Sequence, residues 1–300
     1  MNQYAPHLAF IAPAKPRSTL WTLVIGYALI EAAYYVARGA TGLFVTLIGE
    51  LIGYPALIDG YEWGQNYPGL LIELASFSFL IGATVFITWA HHSRSGWTLL
   101  GDLTGFGPTV IKVTTGCLLV FVATELAPPF YSYEGAEFQW LRLVLLPLSV
   151  AALLIQVTAE EMLYRGYLQQ QLAARFQNPI IWMVAVNLLF GLAHFDRDAD
   201  LVYAMQYVVW AFVFGMAASD LTARTGSLAA AIGYHLANNL FAFMFWAEEG
   251  VDSGLALLLF PAFDAHSDEG MAMPWFDLYY ASELAMPVVL WLAARIVIRR

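Results

Sequence analysis

The chain has 300 residues, 60% of them hydrophobic and 12% charged. Soluble domains carry about 25% charged and about 45–50% apolar residues, so this composition excludes an ordinary soluble enzyme and predicts an integral membrane protein. The formal net charge is -10, and 13 Lys and Arg without a basic patch exclude nucleic-acid binding.

Residues 1–20 hold Pro6, Pro13 and Pro16 with Lys15 and Arg17. They read as a cytoplasmic lead-in before an anchor helix opening at Trp21, not as a cleavable signal. Runs of roughly 20 mostly apolar residues then predict about eight spans. They cover residues 21–48, 69–90, 107–127, 141–170, 180–195, 202–220, 227–246 and 281–297. The predicted fold is all-α, a polytopic transmembrane helical bundle, with residues 1–300 as a single integral membrane domain and 145–246 as its motif-bearing core. The fourth span has no proline between Ser149 and Asn178 and is free to run on to about Phe176, while the fifth is short for a crossing. The stretches 93–103 (with Trp97) and 254–263 read as interfacial, and 271–280 as an aromatic belt at the headgroups. Cys117, inside an apolar run, reads as a small buried hydrophobe.

Charge placement sets the orientation. Lys15, Arg17, Arg94, Lys112, Arg175, Arg224, Arg295, Arg299 and Arg300 fall on the side of both termini, which the positive-inside rule makes cytoplasmic. The opposite loops carry the acidic residues Asp59, Glu62, Glu134, Glu137, Asp196, Asp198, Asp200, Glu248, Glu249, Asp252, Asp264, Asp268 and Glu269. The expected location is an integral membrane protein of a bacterial inner membrane. No internal repeat supports an inverted-repeat transporter, although Glu31, Arg38 and Glu73 in or near spans keep an ion-coupled carrier as a lesser alternative.

Three polar groupings interrupt the apolar helices. Carboxylates at a helix centre cost about 2.5–3.5 kcal/mol each on insertion scales, yet Glu160 and Glu161 stand side by side in the fourth span, with Arg165 one turn on. Glu161 and Arg165 share a face and pair, and Glu160 points about 100° away, free for other work. In the fifth span Phe190 and His194 share a face. Glu160 lies 18 residues before Asn178 and His194 lies 16 after it, so an antiparallel hairpin sets them opposite each other. In the seventh span His235 and Asn239 share a face, beside the small residues Ala229, Ala230, Ala231 and Gly233, which allow a neighbour to approach closely. Each grouping alone also fits a structural role: an interhelical ion pair, a satisfied core histidine, or hydrogen-bonding glue. Together they predict a polar cavity with a general base for water and two donors for a tetrahedral oxyanion, which is amide hydrolysis inside a membrane. Asp196, Asp198 and Asp200 read as a solvated acidic loop, with a cation-binding loop as the lesser reading.

At these residues the chain resembles the CAAX prenyl protease and bacteriocin-processing (CPBP) family of intramembrane proteases. The motifs are Glu160-Glu161-Met162-Leu163-Tyr164-Arg165, Phe190-Gly191-Leu192-Ala193-His194 and His235-Leu236-Ala237-Asn238-Asn239, in the family's order. The resemblance covers about residues 145–246. It implies that Glu160 is the general base, that His194 holds or polarises the water, and that His235 and Asn239 stabilise the oxyanion. Glu161, Arg165 and Phe190 then support them. The family has been described both as metal-dependent and as glutamate-dependent. Glu160, His194 and His235 would supply the ligand set of a catalytic zinc, but Asn239 is a poor zinc ligand and no H-E-x-x-H motif is present. The metal-free glutamate mechanism, with no cofactor, is the favoured expectation.

The expected partners are membrane lipid and a peptide or membrane-protein substrate. The alternative is a non-catalytic membrane subunit or immunity factor bound to another membrane complex. One conflict stands in the sequence. With Gly226 at the inner surface, His235 lies only about 13 Å in, whereas His194 lies about 24 Å beyond Asn178. The two meet only if the 175–180 turn protrudes or the helices tilt strongly.

Overall fold

The computed structural model describes residues 3–128, 133–250, 252–261 and 274–299. The expected acidic positions Asp264, Asp268 and Glu269, residues 262–263 and 271–273 of the interfacial stretches, and Arg300 lie outside the described residues.

In chain order, helix α1 (Ala5–Ile11) runs through a 3-10 turn (Ala12–Arg17) into α2 (Leu20–Leu51). Then come α3 (Leu57–Trp63), α4 (Tyr67–Ala90), a 3-10 turn (Gly96–Leu99) and α5 (Phe106–Glu125). After strand β1 (Glu137–Phe138) and α6 (Trp140–Val144), α7 (Leu146–Glu161) continues through a π-helical stretch (Met162–Gln169) into α8 (Gln170–Arg175). The chain ends with α9 (Pro179–Ala193), α10 (Leu201–Thr225), α11 (Ala229–Met244), strands β2 (Trp246–Glu248) and β3 (Leu258–Phe260), and α12 (Leu278–Ile298). The strands form a small cap in the order β1-β3-β2, with β1 antiparallel and β2 parallel to β3.

Helix boundaries follow local chemistry. The first amides of a helix lack carbonyl partners, and a side-chain oxygen at the N-cap supplies one. Asn66 accepts from Gly69 N, Asn178 from Ile180 N, Asp200 from Val202 N and Asp277 from Tyr280 N. Pro179 follows its cap at the first helical position, where a missing N–H costs nothing. Gly226 closes α10 at φ 68°, a conformation a Cβ would strain.

Among the described residues six helices are long and apolar enough to cross a membrane: α2, α4, α5, the continuous run Leu146–Arg175, α10 and α12. Their outward faces carry bare apolar side chains, such as Trp21 at 76% exposure and Ile296 at 77%. Lipid is the solvent that accounts for them. The other two of the expected eight spans are shorter helices. The fifth and seventh predicted spans are helical where expected, as α9 and α11, but have 15 and 16 residues. At 1.5 Å per residue they reach about 22 and 24 Å, short of a hydrocarbon core of about 30 Å. Helix α11 is an inner helix: its residues from Ala229 to Ala237 are all buried. The small residues serve the predicted close approach, since a Cβ on Gly233 would stand 2.7 Å from Val110 O of α5. The fourth helix runs to Arg175, as its lack of proline allowed.

The N-terminal segment is not a free lead-in. Tyr4 Oη donates to Asp220 Oδ1 at 2.7 Å, the His7 ring lies 4.5 Å from that of Trp182, and Gln170 Nε2 donates to Phe10 O. Trp291 Nε1 also donates to Asp220, so both terminal segments gather on one face of the bundle. This arrangement resolves the depth conflict. Gly166 packs against Leu228, at the start of α11, and helix continues nine residues past it to Arg175, about 13 Å. The turn before α9 therefore protrudes, and residues 4–11 pack around the protrusion. Arg38 and Glu73, suggestive of a carrier, form an ion pair at 2.7 Å between α2 and α4. Cys117 is buried as expected.

Candidate active site

The π-helical stretch is buried on every side, as is Glu161 just before it. Arg165 is 0% exposed and binds three elements at once. Its Nη1 donates to Glu161 Oε1 at 3.0 Å, and its Nη2 donates to Asn187 Oδ1 on α9 and to Gly215 O on α10, both at 3.2 Å. The guanidinium also lies 4.5 Å over the Phe190 ring. Gly215 is needed here because a Cβ would sit 2.4 Å from Asn187 Oδ1. The expected Glu161–Arg165 pair is thus present and anchors the fourth helix to its neighbours.

His235 joins this pair from α11. Its Nδ1 lies 2.8 Å from Glu161 Oε1, and a carboxylate accepts, so Nδ1 carries the proton. That fixes the ring and leaves Nε2 turned to Glu160, 3.7 Å from Oε2. The other oxygen of Glu160 accepts from Gln156 Nε2 at 2.6 Å. Glu160 Oε2 is buried without a hydrogen-bond partner. Gln156 in turn accepts from Asn239 Nδ2 at 2.8 Å. Glu160, Glu161, His235 and Asn239 therefore come together where α7 faces α11, as two hydrogen-bonded groups, Glu160–Gln156–Asn239 and His235–Glu161–Arg165, that approach each other at 3.7 Å.

His194 stands apart from that cluster. It ends α9, half-buried, and its Nδ1 pairs with Phe190 O at 2.7 Å. The Phe190 ring lies between the two histidines, 4.5 Å from His194 and 6.2 Å from His235. No hydrogen bond joins His194 to Glu160 or His235 among the described residues. Consistent with this, no group of three His, Cys, Asp or Glu side chains among the described residues is arranged to hold a metal ion. The trio Glu160, His194 and His235 does not fit zinc as placed. In the acidic loop, Asp196 accepts from Asp198 N and Asp200 caps α10.

The sequence reading missed Gln156 and Asn187. Both are amides inside apolar helices, Gln156 one turn before Glu160, and that isolation was the available signal. Tyr167, beside the acidic motif, hydrogen-bonds His92 Nε2 at 2.7 Å and is a bundle contact.

The model of the Rce1-like family, described as type II CAAX prenyl endopeptidase Rce1-like, matches residues 142–241. That interval contains all three motifs and bears out the resemblance to the CPBP family. Across 261 residues the chain is also 26% identical to the uncharacterized protein YyaK of Bacillus subtilis (strain 168), covering 80% of this chain and 83% of that one. No solved structure matches. At the level of the family, the match supports a CAAX-type intramembrane protease, and the six apolar helices make it an integral membrane protein.

Proposed function

We propose that this protein is a metal-free intramembrane endopeptidase in which Glu160 activates water for attack on a peptide bond. The observation that carries the proposal is Glu160 Oε2, which is buried, unpartnered and 3.7 Å from the free nitrogen of a histidine whose other nitrogen is tied to Glu161. An unsatisfied buried carboxylate oxygen is costly, and a water bound there would satisfy it.

A water hydrogen-bonded to Glu160 Oε2 gives its proton to that carboxylate as its oxygen attacks the carbonyl carbon, and the proton is passed to His235 Nε2, 3.7 Å away. The carbonyl oxygen becomes an oxyanion, and the donors for it are that His235 Nε2–H and the second amide hydrogen of Asn239. Collapse of the tetrahedral intermediate returns the proton to the leaving amine. His194, across the Phe190 ring from His235, positions the substrate or its water. The face bearing both termini, with Arg17, Arg94, Arg175 and Arg224, is cytoplasmic in this reading, in a bacterial inner membrane.

The decisive test is cleavage by purified, reconstituted protein of a membrane-anchored peptide library. Glu160→Gln lowers turnover by at least about 10³-fold while the thermal midpoint stays near that of the wild type. A protein whose biological effect survives both Glu160→Gln and His194→Ala is a scaffold or immunity factor instead. Activity that disappears on chelation and returns with stoichiometric zinc overturns the metal-free part.

A further inference from the structure

Arg165 pairs with Glu161, Arg224 with Asp220 and the half-buried Arg38 with Glu73, while the half-buried Arg142 donates to the backbone oxygens of Ser253 and Ala256. Arg94, in the loop after α4, has neither arrangement. It is 8% exposed. Its Nη1 donates to Thr98 Oγ1 at 2.9 Å and to Gln170 Oε1, both neutral. No carboxylate pairs with it among the described residues, and its Nε and Nη2 are buried without partners. Burial pushes its pKa down to about 10, so it remains a cation at neutral pH. A buried charge with no counter-ion is strongly destabilising, and the chain supplies none.

Arg94 lines an open groove of about 1040 Å³ whose walls are otherwise mostly apolar, with the small polar residues Ser93, Ser95 and Thr158 among them. Ile81, Val85 and Trp89 form one wall at helical spacing on α4, covering about 12 Å of helix. Thr158 on α7 and Met162, which opens the π-helical stretch, form another. These two lie about 160° around the helix from Glu160, so the groove backs onto the fourth helix on the side away from the candidate active site. Trp89 and Trp97, at 64% and 72% exposure, flank it as headgroup-level aromatics do. The groove thus joins an apolar channel on the lipid-facing wall to a lone buried cation at one end, on the face that bears both termini.

We propose that this groove binds an anionic phospholipid, with its phosphate as the counter-ion of Arg94 and an acyl chain along Ile81, Val85 and Trp89. The site is a lipid site distinct from the Glu160 cluster and does not depend on the protein being a protease. Charge complementarity selects the occupant, because a zwitterionic headgroup brings an extra cation that Arg94 repels.

The test is native mass spectrometry of protein stripped in a neutral maltoside detergent and titrated with phosphatidylglycerol or phosphatidylcholine. The wild type retains one phosphatidylglycerol with a preference of about fivefold or more over phosphatidylcholine. Arg94→Gln abolishes the preference. Ser93→Asp abolishes it with Arg94 intact. Ser93 lines the groove at φ 54°, a backbone conformation that Asp tolerates, so this variant reports even if Arg94→Gln folds poorly. Ile81→Trp, which fills the apolar end, weakens retention of the bound lipid. Arg175→Gln, an exposed basic residue on the same face, leaves the preference unchanged. Equal retention of both lipids by the wild type overturns the proposal, as does an equal loss from Arg175→Gln and Arg94→Gln.

Discussion

At the scale of single residues, Gln156 is the most informative position, because it spans two groups that come from different helices. Its amide donates to Glu160 and its carbonyl accepts from Asn239. Replacing it with Leu keeps the volume but frees both partners. The expected outcome is a fall in kcat of roughly 10-fold to 10²-fold with KM little changed, read from steady-state cleavage, while Gln156→Glu falls further because it sets a second carboxylate beside Glu160. Arg165 acts on stability instead. Arg165→Met leaves Glu161 as a fully buried uncompensated charge, and a loss of about 3–5 kcal/mol is expected in detergent unfolding. Part of this chemistry was legible in the sequence. The Glu161–Arg165 pair and the separate heading of Glu160 need only helical periodicity. That His235 bonds Glu161 through Nδ1, and faces Glu160 only through Nε2, depends on the rotation of α11 against α7, which no single segment encodes.

At the scale of elements, the inner helix α11 is held by contacts that leave no room for side chains. A Cβ on Gly233 meets Val110 O at 2.7 Å, and Thr114 Oγ1 donates to Gly233 O at 3.0 Å. Gly233→Val therefore drives α11 away from α5, with an expected loss of about 1–3 kcal/mol and a displaced His235. Gly82 in α4 has nothing within 4 Å of an added Cβ. Gly82→Ala is expected to be neutral or stabilising by up to about 1 kcal/mol, because it only removes backbone freedom. Thermal midpoints of the two variants in one detergent check both. The run of small residues from Ala229 to Gly233 made this close approach readable in advance. The shortness of α9 and α11 was less readable, because apolar residues continue past the ends of both helices and hydrophobicity alone does not mark where a helix stops. The π-helical turn left no trace either, since it is a choice between hydrogen-bond partners of the same backbone.

At the scale of the whole molecule, the N-terminal segment ties the protruding end of the fourth helix to the rest of the bundle, and two buried histidines hold it. His7 packs at a tilt against Trp182 and lies 3.4 Å from Gln169 Nε2, which donates to its ring. His92 accepts from Gln171 Nε2 at 2.8 Å and meets Tyr167 Oη at 2.7 Å. Both lie outside the membrane-spanning helices, and burial lowers the pKa of each from 6.5 to about 4. A histidine held neutral in the fold takes up its proton only after the unfolded chain has done so. Its stabilising contribution is therefore complete above pH 6.5 and is lost as the pH falls toward 4. At pH 5.5 each histidine accounts for a loss of about 1 kcal/mol. The measurement compares thermal midpoints at pH 7.5 and 5.5 for the wild type and for the double variant His7→Phe with His92→Gln. The wild-type midpoint drops with acid, and the double variant, with nothing left there to protonate, drops distinctly less. Equal drops would mean that other groups carry the acid sensitivity and that the N-terminal collar stays neutral and docked across this range.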